Sequence, residues 1–252
     1  MKLKNEIKLG KPYISVDGSF GGNQGWFLDI DNAKKGKTLK GWGCGLIAAS
    51  DVLNYVTSGD LLRATLEKEA AKNTAKEEKN VNSFGKDDYL KFVMSMEKKF
   101  FHILPKLGVS GIMLSLGANI YFLLNWKKIR NATGHSYLAH WFVRPSKLLD
   151  SIRQMLTNEI PVIIAIGPGF FRKDKVVFYD RKEIGGAIHF KPLTKTKDHY
   201  VTVTGMLETD DRILLEISSW GKKYYMDYGE YVSYVKKCDN FYFSNILYIK
   251  RF

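Results

Sequence analysis

Apolar positions in this chain recur first at helical spacing and later at strand spacing. Leu46, Ala49, Val52, Leu53 and Val56 lie on one face of a 3.6-residue period, so residues 44–57 are expected to form a helix. Residues 60–76 and 87–104 read as two more helices, separated by a polar loop over 77–85 that holds Asn80, Asn82 and Ser83. A further helix begins near Ser146. It carries Leu148, Leu149, Ile152, Met155 and Leu156 on its apolar face and stops before Pro161. The pattern then shortens. Pro161-Val162-Ile163-Ile164-Ala165-Ile166 is a β-branched run of the kind a buried strand uses, and Tyr200–Gly205, Arg212–Ile217, Tyr224–Tyr228 and Tyr242–Ile249 follow as strands. Residues 1–40, rich in Gly, Asp and Asn with short apolar runs, read as strands and loops. Helices followed by strands predict an α+β fold: one domain over 1–252, with a helical lobe to about residue 160 and a β lobe over about 161–252. A cleft between two such layers is the expected place for a site.

One stretch has the length of a membrane span. Residues 107–126 hold no charged side chain, and about twenty apolar residues can cross a bilayer. The stretch is nevertheless broken by Gly108, Gly111 and Gly117 and by several Ser and Asn residues, follows Pro105, and has lysines at both ends. A glycine-containing loop followed by a core helix is the reading adopted, and no stable membrane insertion is expected.

Composition narrows the class. With 252 residues, 45% hydrophobic and 26% charged, the chain can bury a large core, and 13% aromatic residues argue against disorder. The net charge of +13 comes mostly from lysines spread along the chain. They are not gathered with stacking aromatics on one element, so no nucleic-acid partner is expected. Two cysteines, Cys44 and Cys238, make no disulfide framework and no Cys-x-x-Cys pair. That usage, with an N-terminus lacking the apolar core of a secretory signal, predicts a cytoplasmic protein.

The chemistry centres on Cys44, in Gly41-Trp42-Gly43-Cys44-Gly45 directly before the first helical pattern. Glycine on both sides permits a tight turn and leaves the sulfur open. The positive end of the helix dipole favours thiolate, the nucleophilic form. A cysteine nucleophile needs a base. Of five histidines, His102 reads as surface or structural, and His189 lies in a hairpin. His135 and His140 lack the spacing and acidic company of metal ligands, so no metal or organic cofactor is expected. His199 opens an alternating strand, in Lys197-Asp198-His199-Tyr200-Val201-Thr202-Val203-Thr204-Gly205. In the next strand Glu216 and Ser218 share a face, and either can accept a hydrogen bond from the imidazole. Trp220 can shield the pair from water.

Asp-His-x-Val-x-Val-x-Gly at 198–205, followed by Ser219-Trp220-Gly221, resembles the C-terminal half of papain-like cysteine peptidases. Pro161-Val162 and the aromatic and glycine-rich segment with Phe170, Phe178-Tyr179 and Gly185-Gly186 follow that family's order. Gly43-Cys44-Gly45 with Asn54-Tyr55 at the end of the helix resembles the peptidases that remove bacteriocin leaders after a double glycine. The resemblance covers about residues 20 to 235. It implies a papain-like fold with the cysteine on a helical lobe and the histidine on an antiparallel β lobe, acting on a peptide or protein substrate through a thioester. Where the family has a glutamine about six residues before the cysteine, this chain has Thr38. Gln24 is the nearest glutamine, and a loop over 25–43 can return it to Cys44, so Gln24 is the oxyanion donor expected alongside the Cys44 N–H. Ser218 stands where the family has Asn or Asp. The expected activity is peptide hydrolysis, with a papain-fold acyltransferase and a catalytically inactive peptide-binding module as the alternatives.

Overall fold

The computed structural model describes residues 3–57, 83–168 and 172–252. The helix expected over 60–76, most of the loop expected over 77–85, and Phe170 lie outside the described residues. Within them the chain is α+β. The helices are α1 (Ala33–Trp42), α2 (Cys44–Val56), α3 (Lys86–Lys99), α4 (Gly111–Leu124), α5 (Trp126–Thr133), α6 (Leu148–Thr157) and α7 (Tyr228–Cys238). The strands are β1 (Leu3–Lys8), β2 (Ser15–Val16), β3 (Ser83–Phe84), β4 (Tyr137–Trp141), β5 (Val162–Ile166), β6 (Val176–Ile184), β7 (Ala187–Thr196), β8 (His199–Thr209), β9 (Ile213–Ser219), β10 (Lys222–Asp227) and β11 (Ile246–Arg251). Nine strands form one antiparallel sheet in the order β4-β11-β5-β8-β9-β10-β6-β7, with β1 added on β8. β2 and β3 form a small parallel pair.

β8 is the sheet's organising strand. β5 pairs with its first half, from His199 to Val203, and β1 with its second half, from Gly205 to Thr209. The register against β9 shifts between Val203 and Gly205. At the shift, a Cβ on Gly205 would lie 3.0 Å from the Ile7 carbonyl oxygen, so a side chain there would press on β1. The sequence suggests an alternating strand with one wet face. In the fold most of β8 is buried on both faces, because α2 covers one side.

The sheet also draws on both sides of residue 160, since β1 and β4 precede it and pair with β8 and β11. Helices occur where strands and loops were expected. α1 lies within the region read as strand and loop. Only Gly36 and Leu39 of α1 are buried, so it carries almost no apolar period, and it starts on an Asn32 side chain that accepts from Lys35 N at 3.0 Å. α7 follows β10 directly. Asp227 caps it, and Tyr231, Tyr234, Val235 and Cys238 form its buried stripe.

α4 corrects the expectation of a core helix. Leu114, Ala118, Tyr121 and Phe122 are buried, but Ile112, Leu116, Ile120, Leu123 and Leu124 stand exposed among the described residues. At 14 residues α4 is short, and no described helix is long and apolar enough to cross a membrane.

α2 packs on β8 through a glycine. A Cβ on Gly45 would sit 2.5 Å from Val109 Cγ1 and 3.1 Å from the Tyr200 ring, so only hydrogen lets the helix approach this closely. Gly45→Ala is expected to destabilise the protein by about 1–3 kcal/mol through overpacking, despite alanine's better helix propensity. In a Val109→Ala background the same change should cost clearly less, because the obstructing methyl is gone. Urea unfolding of the four proteins in this double-mutant cycle measures both effects.

Candidate active site

The close approach of α2 and β8 brings Cys44, the first residue of one, and His199, the first residue of the other, to the same cleft. Both line a small, solvent-open cleft, together with Gln24, Asp51, Tyr200, Ser218, Ser219 and Trp220. The glycines flanking Cys44 serve close packing as much as turning. Gly43 joins α1 to α2 at an ordinary φ of −90°, but a Cβ there would fall 2.4 Å from the Leu39 carbonyl oxygen.

The environment of Cys44 opposes the thiolate expected from the helix N-terminus. Part of the residue reaches solvent. Even so, enough protein surrounds the thiol for burial to push its pKa up, and Asp198 adds in the same direction. Backbone N–H groups of Tyr200, Gly45 and Cys44 itself pull the other way and do not overcome burial.

His199 is buried, and burial lowers its pKa to about 4. Thiol and imidazole therefore rest uncharged at neutral pH. Asp198 holds φ at +54°, a left-handed conformation that Asp tolerates, and this turn delivers His199 to the strand start.

The ring is held by two contacts. Its Nε2 lies 2.8 Å from Ser219 Oγ, and its face stacks on Trp220 at 4.6 Å between centroids and 19° between planes. Ser219, not Ser218, is therefore the residue on the imidazole. Ser218 Oγ instead donates to the Phe20 carbonyl at 2.8 Å. Glu216 is engaged elsewhere, accepting from Thr204, Lys223 and Tyr225 at 3.0–3.1 Å. Trp220 and Gly221 are the two central residues of the β9–β10 hairpin, at φ +49° and +72° between paired Ser219 and Lys222. Positive φ at both positions is the primed-turn geometry that matches strand twist. Bulky tryptophan is a poor resident of left-handed space, and a residue so placed marks a site where conformation is imposed by function or packing. Here the imposed conformation lays the indole over His199, and Phe178 and Tyr224 back it at 5.8 and 6.1 Å.

Gln24 opens a 3-10 helix, Gln24–Asp29, capped by Asn23. Its Nε2 donates to the Lys40 carbonyl at 2.8 Å, which ties it to the end of α1 just before Cys44. An amide nitrogen carries two hydrogens, so one remains for the cleft. Thr38, at the position where a glutamine was sought, bonds back to the Lys34 carbonyl at 3.2 Å on α1.

The loop that presents Gln24 is anchored by a residue the sequence reading passed over. Asp51, seven residues after Cys44 on α2, is buried among apolar neighbours. It accepts from Gly22 N at 2.9 Å, Tyr89 OH at 2.6 Å and Tyr13 OH at 3.4 Å. Gly22 in turn accepts from Gly221 N at 3.0 Å, and Phe20 N donates to the Gly221 carbonyl at 2.9 Å. One carboxylate thus links α2, the Gln24 loop and the Trp220 turn. The available sequence signal was an aspartate inside the apolar run of α2, since acids are almost never buried unpartnered. No group of metal-ligating side chains occurs among the described residues.

Burial raises the Asp51 pKa from 3.8 to about 6, against its three donors. A raised folded-state pKa means that the native state holds the proton more tightly than the unfolded chain. Asp51's contribution is therefore greatest below about pH 4 and is lost as pH rises through about 6. Thermal unfolding of wild type and Asp51→Asn should show the wild-type advantage shrinking from about pH 4 to about pH 7, by up to ~3 kcal/mol. His199 acts in the opposite sense over part of that window but is present in both proteins, so the difference isolates Asp51.

No protein-family model, curated protein or solved structure matches this chain.

Proposed function

We propose that this protein is a papain-like cysteine peptidase, near the double-glycine leader-processing branch, that cleaves a peptide bond through a Cys44 thioester. The observation that carries the reading is the meeting of Cys44 and His199 in one cleft, with Ser219 on the imidazole Nε2 and Trp220 across its face. With Nε2 donating to Ser219 Oγ, the neutral ring carries its lone pair on Nδ1, which leaves that nitrogen able to take a proton. Because both partners rest uncharged, the proton passes from sulfur to Nδ1 as the sulfur attacks the carbonyl, rather than beforehand. The imidazolium then protonates the leaving amine, and water, activated by the same nitrogen, hydrolyses the thioester. The Cys44 N–H and the free Gln24 N–H stabilise the oxyanion. Acyl transfer to another acceptor would use the same groups.

A second reading, a peptide-binding module without turnover, is favoured by the raised thiol pKa. Acylation separates the two. Incubation with peptide thioester and peptide ester probes should leave an acyl group on Cys44, detected by intact mass, and Cys44→Ser and His199→Ala should remove it. His199→Ala is expected to slow acylation by about 10²–10⁴-fold. Absence of acylation in the wild type would leave the binding module.

Two further outcomes follow from the resting state. Iodoacetamide should alkylate Cys44 at neutral pH more slowly than the same cysteine in urea, with the rate climbing only above the ordinary thiol range. Ser219→Ala should reduce turnover about fivefold, the worth of one neutral hydrogen bond of ~1 kcal/mol. Ser218→Ala should act through the Phe20 loop and leave the pH dependence of turnover unchanged.

A further inference from the structure

The side of α4 turned away from the core carries Ile112, Leu116, Ile120, Leu123 and Leu124, all exposed among the described residues, with Leu116 at 50% and Leu123 at 69%. These residues recur at helical spacing and form one apolar ridge about 20 Å long. A helix that is apolar on every side normally has something on every side. The ridge stands convex, so it does not suit an inserted peptide.

Its surroundings are one-signed. Residues 98–149, which contain the whole of α4 and α5, include eight lysines and arginines and no aspartate or glutamate. All eight cations are exposed. Lys106 precedes the ridge, while Lys127, Lys128 and Arg130 follow it, and Trp126 lies half exposed at its end with Lys127 over its ring at 5.7 Å. β11 adds Lys250 beside exposed Leu138 of β4.

We infer that this face docks the protein onto an anionic lipid surface. An apolar ridge with cations at both ends and a tryptophan at the margin matches an interface in which acyl chains lie just beneath a plane of phosphates. The ridge embeds among the upper acyl chains, and the lysines reach back to the headgroups. Nucleic acid would satisfy the cations but leave the ridge wet. α4 lies on the surface rather than crossing, as its length requires. The near end of the ridge also abuts the cleft wall. Gly111 packs against the Trp141 indole, and Trp141 meets Tyr200 at 6.2 Å between ring centroids. Docking would therefore hold the Cys44 cleft close to the membrane surface.

The test is co-sedimentation of the full chain with vesicles of phosphatidylcholine alone and of phosphatidylcholine containing a quarter phosphatidylglycerol. Binding is expected to the anionic vesicles, to weaken with added salt, and to be at least about tenfold weaker on the neutral ones. Lys127→Ala with Lys128→Ala should weaken it by about tenfold or more, since each lysine near an anionic surface contributes about fivefold. Leu116→Glu with Leu123→Glu should abolish it while leaving the thermal midpoint near wild type, because both side chains are exposed. No binding to anionic vesicles, or binding that neither pair alters, overturns the inference. So does a dimer that the glutamate pair dissociates in a protein that ignores vesicles, which would assign the ridge to a second copy. The readout is vesicle binding, so the outcome is independent of whether Cys44 turns over a substrate.

Discussion

The hydrogen at Gly45 Cα, where any other residue would carry a side chain, sets the distance between α2 and β8. With Val109 and Tyr200 pressed against that point, the first residue of the helix and the first residue of the strand share one cleft. The other site groups take their positions from this contact. Tyr200, whose backbone N–H favours the Cys44 thiolate, packs on the next residue of the helix. Asp51, two turns along the same helix, is carried to the depth at which it can hold Gly22. Gly22 and Phe20 then pair with Gly221, which fixes the turn that lays Trp220 on His199.

Tight packing has an electrostatic consequence. The helix N-terminus offers the sulfur N–H groups and a favourable dipole, worth up to about 2 kcal/mol when partly buried. Desolvation opposes them and prevails at Cys44, as it does at His199. The same protein mass that orients the pair also keeps it uncharged at rest. A neutral pair can act as nucleophile and base only if proton transfer accompanies attack. That requirement puts a premium on the ring's tautomer, which the contact to Ser219 can fix, and on its orientation, which the stack with Trp220 fixes.

The parts of this arrangement that were legible in the sequence are those governed by local rules. The α2 period, the glycines around Cys44 and the strand opening with His199 depend on near neighbours, and each lies where the pattern put it. What was not legible depends on pairing. Whether Ser218 or Ser219 meets the imidazole is set by the register of β9 against β8 and by the backbone of the turn that follows, and alternation alone leaves both undetermined. α1 and α7 were missed for different reasons. α1 buries too little to show a period, and α7 sits among tyrosines that read equally well as strand. Asp51 was visible, but its partners Gly22, Tyr13 and Tyr89 come from distant segments.

Residues 107–126 show how one composition can serve two environments. The absence of charge over this stretch looks like a bilayer span, yet its glycines are spent on contact with protein: Gly111 against Trp141 and Gly117 against Phe101. Those contacts bury one side of α4 and leave nothing in the interior for the other. A side of five large apolar residues exposed to water costs solubility and gains nothing for folding. Placing cations around it and excluding carboxylates from residues 98–149 adds nothing to the stability of the fold, because like charges gathered on one face repel. Neither feature is explained by the core, and the two lie together. The proximity of Trp141 to both Gly111 and Tyr200 makes the boundary between ridge and cleft a single side chain. Whatever occupies the ridge therefore bears directly on the wall of the site that holds Cys44.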